Sequence, residues 1–288
     1  MNKIIVIVGP TGVGKTKLSI ELAKRYDAEI INGDSIQIYK DLNIGSAKAT
    51  IEEREGIPHH LLDFKNIDEE YSVYDYQKDC RNKIDEIRKR NKNIIIVGGT
   101  GLYIKAALFD YRFNKEEKSN NNYENYTNDE LYNILLEKEP NTLIHKNNRQ
   151  RVIRAIEKEN INENNNCNDL LYDAIFIGLT TDRENLYDII NKRVDIMINS
   201  GLIEETKELY NKYPNSKALN TAIGYKELIE YLNNNITLDE AIELIKKNSR
   251  RYAKRQYTWF NNQIDIDWFD VDYDNFDNTI TNVTKRCD

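Results

Sequence analysis

A phosphate-binding loop directly follows the first apolar segment of the chain. Residues 9–16 read GPTGVGKT, in which Gly9, Gly14, Lys15 and Thr16 have the spacing G-x-x-x-x-G-K-T. The glycines allow backbone N–H groups to converge on phosphate oxygens, the lysine adds a positive charge, and the threonine hydroxyl can bind Mg²⁺. A helix that begins after the loop points its positive end at the same anion. The pattern predicts a phosphate site formed by Gly9, Pro10, Thr11, Gly12, Val13, Gly14, Lys15 and Thr16.

A second apolar run lacks the carboxylate that nucleotide hydrolases and kinases usually carry. In those enzymes an acidic residue at the end of a neighbouring strand helps to hold Mg²⁺. Here the run 93–97 is followed by Gly98, Gly99, Thr100 and Gly101. The pattern disfavours an ATPase and suggests a second place where the backbone closely approaches a ligand.

Asp34 follows the apolar run 28–32, which is typical of a buried strand. Open α/β folds bind ligands at the carboxyl edge of the sheet, where this residue is expected to lie. A carboxylate there, beside Thr100, could accept a proton from an attacking nucleophile. Aspartate is also a common capping residue, so Asp34 could instead cap a turn or a helix. The residues alone leave both interpretations open.

Arg193 lies on an otherwise apolar helical stripe. In residues 183–201, Leu186, Ile190, Arg193 and Met197 recur at spacings of four, three and four, which places them on one helix face. A guanidinium on such a face needs an anion, because burying it unpaired is very unfavourable. That anion is either a carboxylate of the protein or the phosphate held by the loop.

Two segments, 147–158 and 245–260, align basic residues on one helical face. These residues are Arg151, Arg154 and Lys158 in the first segment and Arg251, Lys254 and Arg255 in the second. Each face alone is typical of a solvated helix, but two of them are what a phosphate backbone requires. The second segment also contains Tyr252, Tyr257, Trp259 and Phe260, which could stack on unpaired bases. Because the net charge is −7, nucleic acid would have to bind through such local faces.

The elements that must position these residues alternate between strands and helices. Apolar runs at 3–8, 28–32, 93–97 and 173–179 are separated by segments of helical periodicity, and 183–260 is mostly helical. This alternation predicts an α/β fold with a parallel sheet covered by helices on both faces, like that of P-loop NTPases.

The pattern breaks after Phe113, where a polar, asparagine-rich stretch leads into the short amphipathic helix 129–140. We interpret 113–145 as a small helical insertion in a catalytic core that comprises 1–112 and 146–288. A second asparagine-rich stretch covers 160–168.

Composition narrows the class of protein further. The chain has 288 residues and no apolar run of the length that a transmembrane helix needs. Its three cysteines, Cys80, Cys167 and Cys287, are far apart, which favours reduced thiols in a cytoplasmic protein. Metal binding by His59 and His60 is improbable, since neighbouring residues on a strand face opposite ways and no third histidine is near.

The motifs together resemble one known family, the tRNA dimethylallyltransferases, also called tRNA isopentenyltransferases. They occur in the family's order, from residue 4 to about residue 262: the loop 9–16, GDSIQIY, PHHLLD, GGTGLY, NNRQRVIRAIE, DRENLYDIINKRVDIMINSGL, AIGYKELIEYL and AKRQYTWF. The chain departs from the family at Asn148, where relatives often have aspartate, and at Ile189, where they often have arginine.

The resemblance implies that the loop holds the diphosphate of dimethylallyl diphosphate, with Mg²⁺ near Thr16, and that ATP is not needed. The dimethylallyl group would move to N6 of adenosine 37 in the anticodon loop of tRNA. Asp34 would act as the base, Thr100 would orient the adenine, and Arg193 would stabilise the leaving diphosphate. The expected tRNA-binding residues are Asp34, Ser35, Ile36, Gln37, Thr100, Gln150, Arg151, Val152, Ile153, Arg154, Arg251, Lys254 and Arg255. A cytoplasmic monomer is expected, with no membrane partner.

Three other functions fit parts of the pattern. A small-molecule kinase fits the phosphate loop but lacks the carboxylate after residues 93–97. An isopentenyltransferase acting on free AMP fits the loop and Asp34, but it would not need two basic helices. A non-catalytic RNA-binding protein fits the basic helices and leaves the phosphate loop and Asp34 without a role.

Overall fold

The computed structural model describes residues 3–113, 123–157 and 169–288. Lys158, Cys167 and the asparagine-rich stretch 160–168 lie outside these ranges.

A six-stranded sheet, parallel throughout, forms the centre of the described chain. Its strands are β1 (Ile4–Val8), β2 (Ala28–Asn32), β3 (His59–His60), β4 (Asn93–Val97), β5 (Ala174–Thr180) and β6 (Asp267–Asp270). They lie in the order β3-β2-β4-β1-β5-β6. The α/β fold predicted from the alternating pattern is therefore confirmed. Strand β6 was not among the predicted strands, and β3 consists only of His59 and His60, for which strand geometry was considered.

Eleven helices accompany the sheet in the described residues. They are α1 (Lys15–Tyr26), α2 (Val73–Lys89), α3 (Gly101–Leu108), α4 (Asn128–Lys138), α5 (Arg149–Glu157), α6 (Arg183–Asn199), α7 (Leu202–Lys212), α8 (Lys217–Thr221), α9 (Tyr225–Leu232), α10 (Leu238–Gln263) and α11 (Phe276–Cys287). None of them is both long and apolar enough to cross a membrane.

Both faces of the sheet are covered, which explains why β1 is apolar at every position. Successive side chains of a strand point to opposite faces. Accordingly, Ile5 and Ile7 join one apolar cluster with Leu18 and Leu22 of α1. Ile4, Val6 and Val8 join a second cluster, which includes residues of α2, α3 and α10.

A third apolar cluster joins helices α7 to α10 to the loop that follows β2. Ile38 and Leu42 of this loop are fully buried against Leu202, Tyr225 and Leu228. The backbone N–H groups of Ile44 and Gly45 also donate to the Glu205 carboxylate. The helices after α6 thus hold the chain segment that begins with Asp34.

The chain divides into two compact units. The larger contains Met1–Asp110 and Leu170–Asp288, and the smaller contains Tyr111–Asp169. In the smaller unit, Leu131 and Leu135 of α4 pack against Val152 and Ile156 of α5. The compact unit therefore extends beyond the 113–145 insertion that the sequence suggested, since α5 buries its apolar face on α4.

The two adjacent histidines have protein partners. His59 Nδ1 lies 2.8 Å from the Ile57 carbonyl, and His60 Nε2 lies 2.5 Å from Glu29 Oε2. Arg90 also donates to both oxygens of the buried Glu29. Burial alone would raise the pKa of the Glu29 carboxyl, but Arg90 and His60 outweigh burial and lower it.

The Glu29 cluster makes stability depend on pH on the acid side. A carboxyl with a lowered pKa stabilises the fold above its unfolded pKa, about 4.3 for glutamate, and this contribution is lost as the pH falls through the folded pKa. We expect Glu29→Gln to have a lower free energy of unfolding than the wild type at pH 7. The difference between the two free energies should shrink toward pH 3. Urea unfolding across this pH range measures the difference. Glu208→Gln, at an exposed position, is the control. Its free energy of unfolding should depend on pH in the same way as that of the wild type.

Candidate active site

Three loops meet at the carboxyl edge of the sheet because β2, β4 and β1 are neighbours there. The loops after β2 and β4 are joined by backbone hydrogen bonds. Gly33 N donates to the Val97 carbonyl at 2.8 Å, and Thr100 N donates to the Gly33 carbonyl at 3.1 Å. The Thr100 hydroxyl oxygen accepts from Ser35 N at 3.0 Å. Thr100 and the segment beginning with Asp34 therefore lie together, as the sequence suggested.

The phosphate loop has a backbone that only glycine adopts readily. Gly14 caps α1 with a φ of 86° in the left-handed region. At Gly9, with a φ of 138°, a Cβ atom would lie 2.5 Å from the Leu179 carbonyl oxygen of β5. Strand, loop and helix thus occur in the order that phosphate binding requires.

Lys15 is desolvated at the base of this loop. Its ammonium donates to the Pro10 carbonyl at 2.6 Å. Burial, followed by the charge of Arg193, lowers the pKa of Lys15 to about 8, against the opposing charge of Asp34. These three side chains are therefore close enough to interact electrostatically.

Arg193 has no hydrogen-bond or ion-pair partner among the described residues. Its neighbours on the helical stripe, Leu186 and Ile190, are buried. Burial lowers the pKa of the Arg193 guanidinium, while the more distant charges of Asp34 and Glu53 raise it. The sequence left two possible anions for Arg193, a carboxylate of the protein or the phosphate held by the loop. The described residues provide no paired carboxylate, so the guanidinium is available to an anionic ligand.

The two carboxylate oxygens of Asp34 have different surroundings. Oδ1 accepts from the backbone N–H groups of Ile36 at 2.9 Å and Gln37 at 3.4 Å. Oδ2 makes no hydrogen bond within the described chain. Asp34 N in turn donates to Asn32 Oδ1 at 3.1 Å. Asp34 thus caps a turn with one oxygen and leaves the other for chemistry, so the two interpretations of this residue are compatible.

Tyr252 and Gln256 of α10 also reach this site; the sequence marked Tyr252 only as a possible base-stacking residue and did not mark Gln256. The Tyr252 hydroxyl interacts with the side chains of Thr100 and Gln256, and burial followed by the charge of Asp34 raises its pKa to about 12. Gln256 Nε2 donates to the Gly99 carbonyl at 3.0 Å. Within the described residues, the buried Gln256 Oε1 has no partner.

The glycines after β4 approach the protein itself rather than a ligand. A Cβ at Gly98 would lie 2.2 Å from the Gly33 backbone, and one at Gly99 would lie 2.1 Å from Gln256 Nε2. At Gly101 it would lie 2.0 Å from the Trp259 ring. Close packing of the loop after β2 explains Gly98, and close packing of α10 explains Gly99 and Gly101. Neither requires the second ligand contact that the sequence suggested.

Packing also limits which aromatic residues of α10 can stack on a base. Phe260 is fully buried, so the stacking role suggested for it is wrong. Tyr257 is partly buried, and its hydroxyl lies 2.7 Å from Thr180 Oγ1. Trp259 is partly buried against the second apolar cluster.

The basic residues of α10 are exposed. Arg251, Lys254 and Arg255 lie on its solvent side, and the Arg255 guanidinium lies 5.5 Å from the centre of the Tyr252 ring.

Gln37, in the loop after β2, uses its side chain within that loop. Its Nε2 donates to the carbonyls of Ser46 at 3.0 Å and Ala47 at 3.4 Å. The Gln37 side chain thus holds its own loop.

The smaller unit has a basic face of its own. On α5, Gln150, Arg151 and Arg154 are exposed, Ile153 is partly buried, and Val152 is fully buried in the unit's core. The predicted alternation of a basic and an apolar face is confirmed for the described part of this helix. Among these residues, the Val152 side chain faces the core, so only its backbone is left for a ligand.

The phosphate loop could hold Mg²⁺ only with help from the ligand. In the described chain, no group of three acidic, histidine or cysteine side chains is arranged to hold a metal ion. Thr16 is exposed, and its hydroxyl makes no hydrogen bond there. Mg²⁺ usually keeps several waters and takes its remaining ligands from one or two side chains and from substrate phosphates. A single free hydroxyl beside a phosphate site fits that mode of binding.

Comparison with known proteins agrees with these features. Residues 37–263 match the family model described as IPP transferase. A tRNA dimethylallyltransferase of Anoxybacillus flavithermus is 51% identical over 285 residues, which cover 94% of this chain and 91% of that protein. One of Bacillus cereus is 48% identical over 287 residues, which cover 94% of this chain and 90% of that protein.

Solved structures of similar proteins share the fold over the whole chain. A tRNA isopentenylpyrophosphate transferase of Staphylococcus epidermidis aligns with a TM-score of 0.78 and 40% identity, covering 100% of this chain and 99% of that one. A eukaryotic dimethylallyltransferase acting on tRNA aligns with a TM-score of 0.83 and 34% identity, covering 100% of this chain and 78% of that one. The motifs, the sheet order and these similarities agree, and the chain belongs to the tRNA dimethylallyltransferase (IPP transferase) family.

Proposed function

We propose that this protein transfers the dimethylallyl group of dimethylallyl diphosphate to N6 of adenosine 37 of tRNA and releases diphosphate. One observation carries the proposal: two partly buried cations, Lys15 and Arg193, lie within electrostatic range of the Asp34 carboxylate, whose Oδ2 accepts no hydrogen bond from the described residues. The cations suit an anionic leaving group, and the Asp34 carboxylate suits a base. A kinase would also need an acidic residue after β4, where the chain has Gly98.

The first part of the mechanism is stabilisation of the leaving group. As the bond between C1 and the bridging oxygen breaks, negative charge builds on the diphosphate. The N–H groups of the phosphate loop, the Lys15 ammonium and the Arg193 guanidinium stabilise that charge. Mg²⁺, when held by Thr16 and the diphosphate, adds further positive charge.

The second part is activation of the adenine amine. The N6 lone pair is conjugated with the ring, so the amine is a poor nucleophile. As the N6–C1 bond forms, one N6 proton moves to Asp34 Oδ2, the oxygen that the turn does not use. Thr100, held by Ser35, orients the base beside this oxygen. The adenine must leave its stack to reach C1, which implies base flipping.

Exposed basic residues on each unit favour a polynucleotide over AMP as the acceptor. In the larger unit these are Arg251, Lys254 and Arg255 of α10. In the smaller unit they are Arg151 and Arg154 of α5, with Gln150 and Ile153 beside them. AMP has a single phosphate and would not need either face. Among the described residues Cys80 and Cys287 are free and buried, as expected of a cytoplasmic protein with reduced thiols. We also propose that the protein is a monomer.

The direct test is transfer of radiolabel from dimethylallyl diphosphate. We expect label to enter tRNA that has adenosine at position 37, and neither AMP nor the same tRNA with guanosine there. Label in AMP at a comparable rate would establish the AMP-directed enzyme instead. Transfer from γ-labelled ATP to any acceptor, with no prenyl transfer, would establish a kinase.

The basic face of α10 should give tRNA binding a strong salt dependence. Each neutralised phosphate releases counterions, so removing two contacts flattens the slope of log affinity against log salt by up to about two units. We expect this for the double variant Arg251→Ala/Lys254→Ala, measured with an anticodon stem-loop at several salt concentrations. The double variant Lys207→Ala/Lys217→Ala removes two exposed lysines from other helices and is the control. Equal slopes for all three proteins would contradict a role of α10 in tRNA binding.

A further inference from the structure

An aromatic side chain covers the outer side of the phosphate loop. Phe276 is the first residue of α11, which follows β6. A Cβ atom on Gly14 would lie 2.6 Å from Cε2 of this ring, so ring and loop are in contact. The Lys17 ammonium lies 4.7 Å from the ring centre. The ring therefore packs against the beginning of α1.

A second apolar side chain contacts the loop from α6. Ile189 Cγ2 would lie 2.9 Å from a Cβ atom on Gly12. Both side chains are partly buried. Ile189 and Phe276 thus form an apolar collar at Gly12 and Gly14, the two glycines from which backbone N–H groups reach phosphates.

The Phe276 ring lies on the side of the loop that faces away from Lys15, whereas Ile189 lies four residues before Arg193 on α6 and therefore on the Arg193 side. Lys15 and Lys17 are two residues apart on α1, so their side chains leave the helix about 200° apart. Lys15 interacts with Arg193 and Asp34, whereas Lys17 lies against Phe276. In nucleotide-binding loops of this kind the lysine reaches the β- and γ-phosphates. In that orientation the nucleoside is attached to the α-phosphate, which is the end of the triphosphate chain remote from the lysine.

We propose that Phe276 makes this loop select a diphosphate whose organic group extends toward Asp34, and that it excludes nucleoside triphosphates. The inference rests on the proposed function, because it assigns the organic group of the donor to the Asp34 side. A prenyl diphosphate has nothing attached to its second phosphate, so the Phe276 ring does not obstruct it. A nucleoside triphosphate bound by Lys15 would have to place its sugar and base where the Phe276 ring lies.

The test compares three phosphate ligands, all with Mg²⁺ and measured by calorimetry. Diphosphate tests the loop itself, tripolyphosphate has the phosphate chain of ATP without the nucleoside, and ATP adds the nucleoside. We expect Phe276→Ala to bind ATP about tenfold more tightly than the wild type, with both inorganic ligands changed by less than about twofold. Ile280→Ala is the matched control, since Ile280 lies one turn further along α11 and packs against the same apolar cluster.

Several outcomes would overturn the proposal. They are an unchanged ATP affinity in Phe276→Ala, an equal gain for tripolyphosphate, and an equal gain for ATP in Ile280→Ala. If Phe276→Ala does not fold, Phe276→Leu is used instead, because leucine keeps more of the packing and opens less space. The proposal then requires a smaller gain in affinity, and this gain must be confined to ATP. A wild-type protein that binds no diphosphate would contradict the proposed function itself, which separates the two failures.

Discussion

Asp34→Asn should lower the rate of prenyl transfer by about a hundredfold or more while diphosphate affinity stays close to the wild-type value, as expected for loss of a general base. Asparagine keeps an Oδ1 that accepts from Ile36 N, so the turn at this position survives. The other carboxylate oxygen becomes an amide NH₂ group, which cannot take the N6 proton. Single-turnover rates with labelled donor and tRNA measure the loss.

Two further variants distinguish the loss of a general base from the disruption of the turn that Asp34 caps. Asp34→Ala removes both functions of the side chain, so it should lose activity and also weaken tRNA binding by disturbing Ser35 and Gln37. Asp41→Asn changes an exposed aspartate in the same segment and should be nearly silent. A single-turnover rate near normal in Asp34→Asn would exclude Asp34 as the base.

Arg193→Ala should reduce turnover by about two to three orders of magnitude, the usual effect of removing a preorganised group that stabilises developing charge. Affinity for dimethylallyl diphosphate should fall as well, and tRNA affinity should hardly change. Because the unliganded guanidinium has no partner within the described residues, its removal should leave the thermal stability of the free protein unchanged or higher. Steady-state kinetics, stem-loop binding and thermal unfolding test the three statements.

Lys192→Ala is the matched control for Arg193, since Lys192 is the preceding residue of α6 and is exposed. It should leave all three measurements unchanged. If Arg193→Ala weakened tRNA binding and left diphosphate affinity intact, Arg193 would contact the nucleic acid backbone and our assignment would be wrong.

Much of the site could be predicted because it is local in sequence. The phosphate loop needs its glycines and Lys15 in a fixed order between a strand and a helix. Arg193 stood out because a charged residue interrupts an apolar stripe. The sequence could not show whether its anion belongs to the protein, since that depends on which carboxylates the fold brings near α6.

The missed residues depend on contacts between distant parts of the chain. Strand β6 lies in a strongly acidic segment, and it forms because Asp267 to Asp270 pair with β5. Its Trp268 ring occupies the space left by Gly178. Gln256 and Phe276 reach the site through α10 and α11 packing, and no short motif reports such contacts.

The position of β1 between β4 and β5 bears on how this protein emerges from the ribosome. In translation, β4 becomes available to β1 first, and β5 begins about 77 residues after β4 ends at Val97, which takes about 4–15 s at typical rates of synthesis. Until then the apolar edge of β1 is open to pairing with other chains. A nascent chain of this enzyme is therefore a natural client for chaperones that cover exposed strands, and its phosphate loop, which rests on Leu179 of β5, completes its shape only late in synthesis.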